Sequence, residues 1–213
     1  NGTDFVGSLH YTLKHNAKMT DLISLSTSVI ANPICAARRN DSASVCAYCF
    51  SAAMSERFGN IDAPFIANTE ILRGRLLTEK EMPIILSKSG LFRIEALADV
   101  SNLLQAANYL RIAAANPWQK CAIWTKNPAF YHAAIQSGIA KKPANLTIIY
   151  SSSKVNEISP IPEKYAYFID KVFTVYNQEG ARGVNINCGA RSCAKCARCY
   201  TKGTGVYVNE LLK

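Results

Sequence analysis

The sequence predicts an α/β protein built on a parallel sheet or a partial (β/α) barrel. Three observations predict it. Short apolar segments alternate with helical ones from residue 91 to residue 187. The helical segments carry start and stop residues at their ends. The 213 residues are 49% hydrophobic and 18% charged, which supplies one sizeable core and leaves too few charges for long disordered tails.

Taken in order, residues 1–34 read as irregular or as short strands. "SAAMSERFG" after Cys49 suits a helix, and "APFIANTEILRGRLL" suits another, with Phe65, Ile66, Ile71 and Leu72 as its apolar residues. "EKEMPIILSKSG" predicts a helix interrupted or begun near Pro83 and stopped at Gly90. The alternation then starts. "LFRIEAL" (91–97) is a strand. "DVSNLLQAANYLRIAAAN" is a helix whose start Asp99 or Ser101 can cap, because a short side-chain oxygen accepts from free backbone N–H groups. Leu103, Leu104, Ala107, Leu110 and Ile112 form its apolar face, and Pro117 closes it. "CAIWT" (121–125) is the next strand. "NPAFYHAAIQSG" is the next helix, with Pro128 early and Gly138 at its end. Further strands are expected at 145–150, at 172–176 in "VFTVYN", and at "GVNIN" (183–187). "GVYVNELL" closes the chain as a last strand or a tail.

Strands that alternate with helices pair in parallel through right-handed crossovers, and ligands gather at their carboxyl ends. Those ends carry Glu95 and Asp99, then Thr125 and Lys126, then Ser151 to Ser153, then Asn177. Arg93 begins deep in an apolar strand. An unpaired guanidinium is costly there, so a carboxylate or another anion is expected beside it, Asp99 or Glu95 first. Arg93, Glu95, Asp99, Thr125, Lys126 and Ser151 are therefore the expected cofactor-binding residues. The chain reads as a single domain, 1–213. Residues 1–50 carry a first cysteine group, 91–187 form the repeat core, and 188–213 form a cysteine-rich end.

Eight cysteines define the chemistry. Cys188, Cys193, Cys196 and Cys199 fall within twelve residues, separated by four, two and two. Cys35, Cys46 and Cys49 form the other group, in "ICAARRNDSASVCAYCF". Cys121 stands alone and reads as a buried strand residue. No secretory signal stands at the start, which points to a cytoplasmic location, where disulfides do not persist. Grouped thiolates bind zinc or iron–sulfur clusters. The C-x-x-C-x-x-C run matches ferredoxin-type cluster spacing, which favours iron–sulfur clusters, with zinc as the alternative. The adjacent Arg38 and Arg39 would stabilise thiolates and an anionic cluster. The 24 basic and 15 acidic residues leave a net charge of +9, which admits nucleic acid or other anionic partners. The segment "LISLSTSVIANPI" is too short and polar to span a bilayer, so no membrane partner is expected.

The aromatic residue before the last cysteine in "CAYCF" resembles the cluster loop of radical S-adenosylmethionine enzymes. In those enzymes three cysteines hold three irons of a 4Fe-4S cluster, and the open iron chelates S-adenosylmethionine. The usual loop is C-x3-C-x-Φ-C, whereas ten residues separate the first two cysteines here, and "IEALAD" stands where that family has a glycine-rich turn. A closer resemblance is to a bacteriophage gene-product family that looks like a reduced relative of radical-SAM proteins. "RIEALAD" (Arg93 to Asp99), "IWTKNP" and the cysteine-rich close carry it, over roughly Cys35 to Tyr200. The resemblance implies a radical-SAM-like α/β barrel, metal-bound cysteines and a phage or prophage origin, hence the host cytoplasm if phage-encoded, and it implies no known reaction. Three function classes follow. One is an iron–sulfur enzyme that uses S-adenosylmethionine and an external electron donor on an unknown small molecule. Another is an iron–sulfur protein for electron transfer, sensing or partner binding. The third is a zinc-stabilised nucleic-acid-binding module.

Overall fold

A computed structural model describes residues 3–6, 9–15, 17–58 and 62–212. Eight strands form one sheet in chain order: β1 (Thr3–Val6), β2 (Leu9–Thr12), β3 (Ile23–Leu25), β4 (Leu91–Ile94), β5 (Lys120–Thr125), β6 (Leu146–Ser151), β7 (Lys171–Tyr176) and β8 (Tyr207–Leu211). β1 with β2, and β2 with β3, are antiparallel. From β3 to β8 every pairing is parallel. The expected α/β class and parallel sheet are present; strands form at each of the places expected around 121–125, 145–150 and 172–176, while the one expected over 91–97 stops at Ile94, where Glu95 turns to φ +57°. "GVYVNELL" contributes β8, against β7.

Among the described residues six α-helices accompany the strands: α1 (Pro33–Arg39), α2 (Phe50–Arg57), α3 (Ala63–Gly74), α4 (Leu103–Ala115), α5 (Pro128–Gln136) and the single turn α6 (Cys193–Cys196). The main core lies between one sheet face and α3, α4 and α5. Phe92, Ile94, Cys121, Ile123, Leu146 and Ile148 meet Leu72, Tyr109, Leu110, Tyr131 and Ala134 there. Alternation along each strand sends the intervening residues to the opposite face. That face gathers Leu91, Ala122 and Ile149, with Trp124 and Phe173, under Tyr200 and the cysteine-rich segment. The register aligns Arg93, Ala122 and Thr147 on it.

The sheet is curled around this second face. Lys18, which precedes β3, donates to Glu210 of β8 at 2.7 Å. Five strand spacings would hold β3 and β8 ~24 Å apart in a flat sheet. The contact therefore requires curvature.

Four local expectations are corrected. α1 was not anticipated; Asn32 starts it by accepting from Ile34 N and Cys35 N, and Pro33 opens its first turn. α4 is capped by Asn102, whose side chain accepts from Gln105 N, and not by Asp99 or Ser101. The helix expected over 79–90 is one 3-10 turn, Glu79–Glu81, closed by a Thr78–Glu81 capping box. Beyond it the buried Asn116 side chain accepts from Ile85 N at 2.6 Å and donates to the Pro83 and Ile112 carbonyls at 2.8 Å, and Trp118 Nε1 donates to Ile85 O. Side chains have taken the backbone groups that a helix would pair. Residues 183–187 form no strand. The Gly59 end of the helix expected after Cys49 lies outside the described residues.

Asn116 satisfies three backbone groups at once. Asn116→Ala is expected to cost about 2–4 kcal/mol in urea denaturation, because buried polar groups lose their partners. A change below about 0.5 kcal/mol would show that this loop does not depend on the asparagine.

Candidate functional site

The strands' carboxyl ends and the second face enclose a cavity of about 430 Å³. Cys35, Cys46, Cys49, Cys188, Cys193, Cys196 and Cys199 all line it. So do Arg93, Glu95, Asp99, Thr125, Lys126 and Ser151. Two cysteine groups separated by most of the chain thus share one cavity with every strand-end residue named above except Ser152, Ser153 and Asn177. Ser152 bonds Thr174, and Asn177 accepts from Gly180 N in a turn.

The first group is fastened across successive strand ends. Asn32 Nδ2 donates to the Asp99 carbonyl at 2.6 Å beyond β4. Arg38 reaches the Lys126 carbonyl and Asn127 Oδ1 beyond β5. Val45 N donates to the Ser153 carbonyl at 2.8 Å beyond β6. Arg39 pairs with Glu56 of α2. Of the two arginines expected to serve the thiolates, both are engaged with carboxylates.

The second group covers the opposite wall. Ser192 caps α6 by accepting from Lys195 N. Ala197 adopts φ +49°, a left-handed turn that lets the chain double back to Cys199. Tyr200 packs edge-on against Trp124. Lys18 Nζ lies 3.3 Å from Cys188 Sγ and 3.0 Å from its carbonyl.

Burial pushes the Cys35 and Cys199 thiols up to about 12. It also raises Cys188 and Cys193, against Lys18 and, for Cys193, Arg93, which pull the other way. Burial thus favours the thiol over the thiolate at these four sulfurs when no metal is bound. Among the described residues no three His, Cys, Asp or Glu side chains stand close enough to hold a metal ion. The sulfurs are of the type that holds thiophilic metals: Cys35, Cys46, Cys49, Cys188, Cys193 and Cys199 are half-buried and Cys196 is exposed, and all seven line one cavity with Lys18, Arg38 and Arg93. Metal binding displaces thiol protons and draws ligands together as it proceeds. Cys121 is fully buried in β5 on the helix side, as expected for a packing residue.

The carboxylates brace the site. Asp99 Oδ1 accepts from Thr125 Oγ1 and Val100 N, and Oδ2 from Lys126 N and Arg38 Nη1. Glu95 Oε1 accepts from Thr27 N and Ala98 N, and Oε2 from the Thr27 and Tyr109 hydroxyls. Glu95 also sits at φ +57°, a conformation unusual for a side-chain-bearing residue and held here by those contacts. Neither carboxylate pairs with Arg93. The Arg93 guanidinium instead lies 4.1 Å from the Trp124 ring centroid, an attraction between cation and ring quadrupole. Lys18, Trp124 and Glu210 were not anticipated. The alternation that buried Ala122 on the second face also places Trp124 there, so Trp124 was readable from the strand; no local pattern marks Lys18.

A family model described as gene product 88 matches residues 9–206, so the chain belongs to the gene product 88 family. The resemblance to a phage-type gene-product family therefore holds. No significant match was found among curated proteins or among solved structures. Among the described residues no helix is long and apolar enough to cross a membrane.

Burial holds the Glu95 carboxyl above its ordinary range. The folded state thus binds this proton more tightly than the unfolded chain. That contribution is full below the unfolded pKa and is lost as pH rises through the raised value. Glu95→Gln can keep an oxygen on the Thr27 and Ala98 N–H groups and turn its amide toward the hydroxyls. It should remove that pH slope at modest cost, while Glu95→Ala should lose about 3 kcal/mol or more. Denaturation of both variants across the mildly acidic to neutral range checks this. Equal losses in the two variants would contradict it.

Proposed function

We propose that this protein is an iron–sulfur protein of phage type with a radical-SAM-like arrangement. One observation carries the reading: seven cysteines from the two ends of the chain line a single cavity at the carboxyl ends of parallel strands. Cys35, Cys46 and Cys49 would hold one 4Fe-4S cluster and leave one iron open. Cys188, Cys193, Cys196 and Cys199 would hold a second. A sulfur count of three and four suits this better than zinc, whose tetrahedral site would lack a ligand in the first group. The succession of β3, the first cysteine group and β4 in a curled parallel sheet supports the barrel-like resemblance.

When bound, a cluster with an open iron supplies one-electron chemistry to S-adenosylmethionine. The chain's own residues supply the rest. Asn32, Arg38 and Val45 fix the first group against three strand ends. Glu95 and Asp99 hold the loops after β4 rigid. Lys126 and Ser151, with Nζ and Oγ 3.1 Å apart, offer polar contacts to a small molecule. Lys18 places a positive charge on the Cys188 sulfur.

Purification without oxygen, followed by iron, sulfide and zinc analysis and electron paramagnetic resonance after reduction, tests the proposal. Cys46→Ser and Cys196→Ser should each retain about half of the iron, since each removes a ligand from a different cluster. Cys196→Ser should also unfold more readily, because metal binding adds to folding free energy. Stoichiometric zinc without iron, or full iron in both variants, would refute it. Retention of S-adenosylmethionine by the iron-loaded protein separates the radical-SAM-like reading from an iron–sulfur protein that does not bind it.

A further inference from the structure

We infer that Arg93 and Lys126 form a receptor for the oxyanion of a small molecule, a carboxylate or phosphate group, held against the Trp124 and Phe173 wall of the cavity. The inference goes beyond the iron–sulfur reading, because it rests on the protein's own donors and acceptors.

Lys18, Arg38, Arg39, Arg93, Lys126 and Arg198 line the cavity, against Glu95, Asp99 and Glu210. The pairs among them are not random. Lys18 is held by Glu210, Arg38 by Asp99, and Arg39 by Glu56. The acceptor positions of Glu95 and Asp99 are occupied by protein donors, as described above. Among the described residues Arg93, Lys126 and Arg198 have no carboxylate within ion-pair distance. Arg198 donates to the Thr204 carbonyl at the edge of the cysteine-rich segment. That leaves Arg93 and Lys126 as the cavity cations whose side chains no protein carboxylate grips directly.

Arg93 is the stronger of the two. Its Nε is buried without a hydrogen-bond partner. Its Nη1 reaches only the Met19 sulfur, at 3.8 Å. A guanidinium presents five N–H donors in a plane, matched to two oxygens of a carboxylate or phosphate. Stacking on Trp124 fixes that plane before any ligand arrives, so little freedom is lost on binding. Lys126 Nζ donates to the Ser151 hydroxyl, which leaves its other protons without an acceptor, although its charge also acts on the buried Asp99 carboxylate. Trp124 meets Phe173 and Tyr200 edge-on, which gives the ligand's carbon skeleton an apolar wall. Beside the aromatic wall the cavity thus keeps two cations, Arg93 and Lys126, whose donors the protein leaves unfilled, while Glu95 and Asp99 are saturated and Glu210 is held by Lys18. That combination selects a small organic anion over a cation or a neutral sugar.

Calorimetry on the full chain, purified without oxygen, tests the inference with inorganic phosphate and glutarate as probes and chloride at matched ionic strength as the control. The protein has two tryptophans. Trp118→Phe leaves Trp124 as a local fluorescent reporter. At least one probe should bind saturably and change Trp124 emission, and the tighter of the two names the preferred oxyanion. Arg93→Met and Arg93→Lys should each weaken binding by roughly tenfold or more, the lysine because it lacks the planar fork. Lys126→Met should weaken it less, and Lys80→Met, far from the cavity, not at all. A response that matches chloride, or unchanged binding in both Arg93 variants, would overturn the inference. Iron content measured on the same samples keeps the two readings apart. Anion binding lost with iron retained supports a ligand site. If Arg93→Met loses iron as well while Lys126→Met binds normally, Arg93 belongs to the cysteine group and the inference fails.

Discussion

The Asp99 carboxylate is the contact on which the site depends. Burial makes an unpartnered carboxylate costly, so the fold surrounds it with donors. Those donors come from three places. Thr125 and Lys126 end β5, Val100 follows Asp99 itself, and Arg38 ends α1. Satisfying one carboxylate therefore fixes the end of β5 and the helix that carries Cys35 in a single arrangement. Glu95 does the same for β3 and α4 through Thr27, Gln105 and Tyr109. The price is a left-handed backbone at Glu95, which the surrounding contacts impose.

The sheet's order explains why the two faces differ. Consecutive parallel strands, connected in the same sense, collect their helices on one side. Among the described residues the other side is covered by no helix longer than the single turn α6. The chain covers it instead with residues 188–200 and with the 3-10 turn that carries Lys18. These pieces lie at opposite ends of the sequence, and the curl of the sheet brings them together. A cavity results because short, cysteine-rich segments cannot fill the space that a packed helix would. Their thiols, pushed toward the protonated form by burial, sit beside Lys18 and Arg93, which favour the opposite state.

Much of this site was legible along the chain. Strand alternation marked 91–97, 121–125, 145–150 and 172–176, and strand ends are where a parallel sheet presents polar side chains. The spacing of the cysteines marked both groups. Roles were less legible than positions. Asp99 and Glu95 read as ligands because carboxylates at strand ends often are. Their saturation by Thr27, Arg38 and Tyr109 depends on partners far away in sequence. The 79–90 segment misled for the same reason: its helical composition was overridden by Asn116 and Trp118, which bind its backbone from beyond β4 and α4.

The sequence by itself determined the alternation of elements, the face to which each strand residue points, and the location of the sulfurs, because these follow from periods of two and 3.6 and from chain position. Only the tertiary structure decided that both cysteine groups open onto one cavity, that Lys18 sits on Cys188, and that Arg93 rests on Trp124 without a carboxylate. Arg93 and Met19 are 74 residues apart, and Lys18 and Cys188 are 170 apart. Such pairings arise from sheet curvature and packing, which sum contributions from the whole chain, so no local pattern encodes them.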